Sequence, residues 1–211
     1  MGKKGKNSMN FNNVFLSETA TVVGPYENNG PLSNFFDQSY DELYCGEDSW
    51  EKAEQRLVKD SISLVMTKSF KNDIDIDYVV AGDLSNQDVI SNYVMRDFNI
   101  PLLGIYGACS TSVEGMIIAS TLIDGKFGEN IIVSTSSHNA TAERQFRSPT
   151  EYGGQKPETA TFTVTGAGAC ILTSNKTTIK IESATVGTVI DAKKNDANDM
   201  GTAMAPAAAE T

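Results

Sequence analysis

Cys109 is where this sequence could do chemistry. It lies in "LLGIYGACSTSVEGMIIAS", residues 102–120, between an apolar run and a helix-like run. Gly107 and Ala108 before it allow close approach of backbone or substrate, and Ser110, Thr111 and Ser112 follow with hydroxyls. A cysteine at a helix N-terminus meets free N–H groups and a dipole that favour a thiolate or a bound anion. Three readings fit: a nucleophile, a wall group of a ligand pocket, or a packed thiol without special use. A nucleophile needs a base. The chain has one histidine, His138, just after "IIVSTSS". It is either a partner on the same sheet edge as Cys109, or a loop or subunit-contact residue. The segment "ERQFRSPTEYGGQKP", 143–157, gathers Arg144, Arg147 and Lys156 in an acidic chain. It reads either as a solvated loop or as a source of cations for an anionic ligand or a partner subunit.

Other chemistries are excluded by residue type and spacing. The net charge of −10 argues against nucleic acid, which needs a basic face. Cys45, Cys109 and Cys170 form neither a disulfide framework nor a zinc knuckle, which fits reducing surroundings. "GAGACI", 166–171, has Ile171 where a dinucleotide fingerprint needs its last glycine. "DIDID", 73–77, imitates the start of a calcium loop, but Tyr78 and Leu84 occupy the positions that require Gly and Glu. No metal site is expected. No apolar run approaches the roughly 20 residues of a membrane-spanning helix, so membrane association would come through a partner.

The elements that must position Cys109 alternate. Residues 10–24 read as a strand or hairpin and 25–36 as a loop. Residues 49–70 read as an amphipathic helix with Ser49 as its N-cap. A buried strand follows at 76–84, then a helix from Ser85 or Asn86, a strand from Pro101, and a helix over 111–124. That last helix is apolar almost all round, as a buried helix is. Strands follow at "ENIIVSTSS", at a long "TATFTVTGAGACILTSN" with alternating threonines, and at "TTIKIESATVGTVI". Short-linked strands and helices imply an α/β fold, a mostly parallel sheet with helices on both faces. Residues 1–9 read as a basic disordered tail. The small-residue end "DMGTAMAPAAAET" shows no clean element and reads as the start of a second half that is missing from the chain.

"YGACSTSVEG" before a buried helix and the glycine-rich "TVTGAGACILT" resemble the thiolase superfamily, whose two similar halves are layered α/β units. With "SSHNATAERQFRSPTEYGGQKPETATFTVTGAGAC" and "NDMGTAMAPAAAET", the chain resembles the stage V sporulation protein AD branch of that superfamily over nearly its whole length. The resemblance implies a thiolase-like N-terminal domain over 10–190, with 191–211 opening the second half. It implies a sporulation protein that binds dipicolinic acid and serves its uptake into the forespore, as the calcium chelate, with membrane proteins of the same complex. Catalysis is not implied, and Cys109 would act only if the chain were an active condensing enzyme. A purely structural scaffold is the other alternative. No cofactor is implied beyond the ligand. A peripheral place at the spore inner membrane and a homodimer paired through the glycine-rich strand, 161–173, are expected. Cys109, Ser110, Thr111 and Asp83 are the expected ligand groups, with His138, Arg144 and Arg147 behind them. The Asp83 carboxylate would hydrogen-bond, meet calcium or position a cation.

Overall fold

The run Asn130–Ser137 is sealed along its first five residues, as a strand covered on both faces must be. The computed structural model, which describes residues 7–146, 162–195 and 199–211, puts it near the middle of a sheet. In chain order the elements are β1 (Ser8–Asn10), β2 (Phe15–Val23), α1 (Pro25–Asn28), β3 (Gln38–Ser39) and α2 (Trp50–Lys68). Next come β4 (Tyr78–Asp83), α3 (Val89–Val94), β5 (Leu102–Gly104), α4 (Thr111–Asp124) and β6 (Asn130–Ser137). α5 (Asn139–Phe146), β7 (Gly166–Thr173), β8 (Ile179–Lys180), β9 (Ser183–Thr185) and α6 (Met200–Glu210) complete the described chain.

The main sheet runs β3-β2-β7-β6-β4-β5, with β8 also paired to β2. β4 is parallel to β5 and β6, and β2 is parallel to β3. β7 runs antiparallel to both β2 and β6. One face carries α2 and α3 over Val22, Val79, Ile132 and Ile171; the other carries α4 over Val80, Ile131, Val133 and Leu172. The expected α/β architecture, with helices on both faces, is present, but the sheet is mixed where a mostly parallel one was expected, because β7 runs antiparallel between β2 and β6.

Local chemistry sets the helices. The Ser49 side chain accepts from the Lys52 N–H at 3.2 Å and caps α2. Its stripe of Leu57, Val58, Ile62, Val65 and Met66 lies on the sheet. Small residues on β7, Ala167 and Ala169, let that helix come close. The helix expected from Ser85 begins only at Val89, because Gln87 and Asp88 take left-handed backbone angles (φ 63° and 51°).

Five further expectations need correction. The helix over 111–124 is not buried all round. Gly115, Ala119 and Ile123 face the sheet, but Val113 is 58% exposed and Met116, Ile117, Ile118 and Leu122 are half-buried. Among the described residues only one layer covers it. The glycine-rich strand is not an edge, because β2 and β6 pair with it on its two sides from Gly166 to Thr173. It also starts late. Thr163 and Thr165 precede it in irregular chain, where their N–H groups donate to Glu143 and Glu27, and Thr161 lies outside the described residues. Ser8 and Met9 are not disordered but pair with Thr185 and Ala184. The alanine-rich end forms α6, consistent with the high helix propensity of alanine.

Removing the α2 cap tests this reading. Ser49→Ala should lower stability by about 1 kcal/mol, read as a lower urea midpoint with unchanged slope.

Candidate functional site

The turn that carries Cys109 is held by its own backbone and hydroxyls. Thr111 Oγ1 accepts from the Gly107 N–H at 3.0 Å and donates to the Ala108 carbonyl at 2.8 Å. Ser110 Oγ donates to the Gly107 carbonyl at 2.7 Å. Ala108 sits in the left-handed region (φ 47°), unusual for a residue with a Cβ. The segment before the turn presses on β4 so closely that a Cβ on Gly82 would collide with the Ile105 carbonyl oxygen. The result is a short 3-10 turn, Ala108–Ser110, feeding directly into α4, with Cys109 exposed on it.

Cys109 borders a recess of about 310 Å³ at the end of the sheet where β4 and β6 finish. Gly82 and Asp83 supply one wall, Thr135–Ser137 the next, and Gly166–Gly168 another; Thr21 and Val23 close it from β2. Ala108, Thr111 and Ser112 frame the α4 side. A second hollow of about 220 Å³ shares Thr21, Ser112, Thr135 and Gly168 with the first and runs down to Met116, Val133 and Ala169. The pair forms a slot that is polar at the rim and apolar below. Among the described residues, no lysine, arginine or histidine lines the recess, and no cluster of metal-binding side chains occurs.

The residues singled out in the sequence are therefore separated. Cys109 and Thr111 border the recess, but the Thr111 hydroxyl is spent within the turn and the residue is 4% exposed. Ser110 is not part of the wall. Asp83 lines the recess with its carboxylate turned inward: Oδ1 accepts from the Ser85 N–H, and Oδ2 from the Ser91 N–H and hydroxyl. Burial raises its pKa against those hydrogen bonds. Of the roles considered for Asp83, the structure displays hydrogen bonding within the chain.

His138 is fully buried and outside the wall of the recess. Its Nδ1 accepts from the Ala140 N–H at 3.1 Å, which leaves Nε2–H to donate to the Leu43 carbonyl at 2.8 Å. The ring stacks on Trp50, and burial lowers its pKa. A neutral imidazole with both nitrogens engaged has no lone pair to offer a thiol. Arg147 lies outside the described residues; Arg144 falls on α5, and its side chain is likewise outside them.

Sequence reasoning missed Glu54. It sits on α2 with no exposure, its Oε1 accepting from Ser136 Oγ at 2.8 Å and its Oε2 from Thr141 Oγ1 at 3.2 Å. Burial raises its pKa to about 7. Ser136 also borders the recess, but its hydroxyl turns to the α2 face of the sheet, so this carboxyl is not part of the recess. A signal existed: Glu54 interrupts the stripe shared by Leu57, Val58, Ser61 and Ile62, where a charge is out of place.

Comparison with known proteins adds the family. The chain matches the stage V sporulation protein AD (SpoVAD) family over residues 5–211, and is 52% identical over 198 residues to stage V sporulation protein AD of Bacillus subtilis (strain 168). The chain belongs to the SpoVAD family. The alignment takes in 94% of this chain and 59% of the Bacillus subtilis protein, so this SpoVAD chain spans less than two thirds of that relative. Solved structures agree on the fold. The 3-oxoacyl-[acyl-carrier-protein] synthase III of Aquifex aeolicus VF5 superposes with a TM-score of 0.53 at 13% identity, over 76% of this chain and 53% of that one. An OleA variant from Xanthomonas campestris gives 0.54 at 15% identity, over 78% and 59%. These are thiolase-like folds, as the family resemblance implied.

Glu54 generates a pH prediction. Its carboxyl titrates near 4.5 when unperturbed and about 7 in the fold, so between those values the folded chain holds a proton that the unfolded chain has released. Its contribution to stability is complete below about 4.5 and is lost as pH rises to about 7. Glu54→Gln should gain on the natural protein by up to about 3 kcal/mol between pH 4.5 and pH 8, measured by urea unfolding at each pH.

Proposed function

We propose that this SpoVAD-family protein binds dipicolinic acid in the recess at Cys109 and serves its uptake into the forespore. The observation that carries the reading is the recess itself, with an exposed Cys109 at its rim. Its volume falls at the low end of ligand pockets, roughly 300–1,000 Å³, and suits a single flat ring. Glycine backbone at Gly166 and Gly168 leaves room for a ring face, while Ser112 and Thr135 offer hydroxyls to carboxylates. A wall without a described cation, beside an inward-turned Asp83, suits the neutral calcium chelate better than the bare dianion.

No helix among the described residues is long and apolar enough to cross a membrane. The proposed place is peripheral, at the spore inner membrane, held by membrane proteins of the same complex. A homodimer, if paired through a sheet edge, has β5 available: it pairs with β4 alone, and Leu103 and Gly104 are exposed.

Calorimetry of the full chain with dipicolinate, with and without calcium, tests the reading. Saturable binding is expected. Gly168→Val should weaken it tenfold or more, about 1.4 kcal/mol. A Cβ at position 168 has no neighbour nearer than the Ala20 carbonyl at 4.0 Å, so the added side chain fills space instead of breaking the fold. Absence of binding by the natural protein would overturn the proposal and leave a scaffold role.

A second reading, acyl transfer by Cys109, is favoured by the thiol's exposure on a left-handed elbow. The sealed His138 opposes it. Incubation with acetyl-coenzyme A should leave the intact mass unchanged; a stoichiometric acyl adduct lost in Cys109→Ala would reverse the ranking.

A further inference from the structure

An acidic chain gathers four of its 17 lysines and arginines around one hollow, on the layer of the molecule opposite α4. The hollow measures about 210 Å³ and lies between the outer faces of α2 and α3. Lys52, Arg56 and Lys59 stand at positions i, i+4 and i+7 of α2, so they share one face of that helix. Tyr93 of α3 and Arg96 of the turn after it, Met95–Asp97, wall the other side. A charged outer face is ordinary for a helix packed on a sheet. Here a second element closes on that face and adds another cation to it.

The bonding of these cations leaves donors unspent. Lys52 pairs with Asp48 at 2.7 Å and Lys59 with Asp97 at 2.6 Å, and all four side chains are about half exposed or more. Pairs so exposed contribute little, and the lysine stems turn readily to another anion. Arg56 is engaged through Nε alone, which donates to Asp60 and to the Tyr40 hydroxyl, each at 3.1 Å. Arg96 donates from Nε to the Tyr93 carbonyl at 3.0 Å, and its guanidinium lies 4.4 Å from the centre of the Tyr93 ring. These contacts fix both guanidinium groups and leave their Nη nitrogens without a hydrogen-bond partner among the described residues.

The charge of the hollow selects the ligand. In its wall four cations face two carboxylates, Glu47 and Asp97, and Lys59 already holds Asp97. Asp48 and Asp60 pair with Lys52 and Arg56 from outside the wall, so the neighbourhood is balanced in a chain of net charge −10. Attraction therefore comes from directed N–H groups more than from bulk charge. A carboxylate has two oxygens, enough for one guanidinium fork. A phosphomonoester has three terminal oxygens and two charges, enough for two forks and a lysine. The volume is below the roughly 300–1,000 Å³ of whole-ligand pockets, which suits a single charged group.

We infer that the hollow between α2 and α3 binds a phosphomonoester group, gripped by the Nη groups of Arg56 and Arg96, with Lys59 turning from Asp97 to the remaining oxygen. Two carriers present that chemistry: a small ester in solution and a lipid headgroup. The site shares no wall residue with the recess and does not depend on the ligand proposed there.

The test is titration of the full chain with glycerol 1-phosphate at low ionic strength, followed by NMR of the backbone amides and the arginine Nε–H groups. Saturation at about millimolar ester is expected, with the Arg56 and Arg96 signals moving most. Arg96→Gln removes one fork and no bonded carboxylate, so the fold stays intact and affinity should fall by about fivefold to tenfold. Arg96→Lys keeps the charge without the fork and should lose part of that affinity. Lys126→Gln removes the same charge just past α4, on the other layer, and should leave affinity unchanged. Sedimentation with phosphatidylcholine vesicles containing phosphatidic acid separates the carriers. Binding there that Arg96→Gln abolishes assigns the group to a lipid, whereas saturation by the ester without sedimentation assigns it to a small molecule. An unsaturable response, an equal loss in Lys126→Gln, or unchanged affinity in Arg96→Gln would mean an adventitious ion only and would overturn the site. Absence of binding to both ester and vesicles would overturn it as well.

Discussion

The approach of two backbones at Gly82 is the constraint on which the rest of the site depends. β4 can lie against the Ile105 carbonyl only because residue 82 has no Cβ, and the methyl of Thr111, four residues past Gly107, crowds the same position. From that contact the turn acquires its shape. Gly107 donates to the Thr111 hydroxyl, the Thr111 hydroxyl donates to the Ala108 carbonyl, and Ala108 is forced left-handed. Cys109 then projects from a turn whose other polar groups face inward. The exposure of the thiol follows from steric economy one strand away, not from any feature of the cysteine.

A second consequence is that polarity near the recess is largely consumed. Asp83 serves the start of α3, Ser110 and Thr111 serve the turn, Ser137 donates to the Val164 carbonyl, and His138 serves the chain at Leu43. What remains at the wall is hydroxyl and glycine backbone. Such a surface discriminates by shape and by hydrogen-bond direction more than by charge. The hydroxyl hydrogens decide its sign, because each can face in or out at little cost.

The sequence was most legible where signals are local. Ser49 announced the start of α2, and the run from Thr111 to Asp124 announced α4, because caps and periodicity act within a few residues. The turn at Cys109 was legible for the same reason, since the glycine, the hydroxyls and the helix start are all adjacent, but whether the thiol was exposed or packed was left open until the fold placed it. Strand order was not. β7 was expected at an edge from the family resemblance, which implied dimer pairing through the glycine-rich strand; its partner β2 comes from the far end of the chain, and no local signal announces it. The burial of His138 was hidden likewise, since it depends on Leu43 and Trp50, which the fold brings across from the other end of the sequence. Glu54 was visible as an anomaly in an apolar stripe, but its meaning required knowing that Ser136 and Thr141 would meet it.

Antiparallel neighbours can be joined by a hairpin of two residues, and parallel ones cannot. β6 and β7 are antiparallel neighbours, and the recess begins where one ends and the other starts. Topology therefore asks almost nothing of the long connection between Ser137 and Gly166. That surplus length is anchored at both ends on the wall of the recess, so its sequence can diverge while the strand ladder stays intact. A change of length there would alter the border of the recess without re-solving the folding problem.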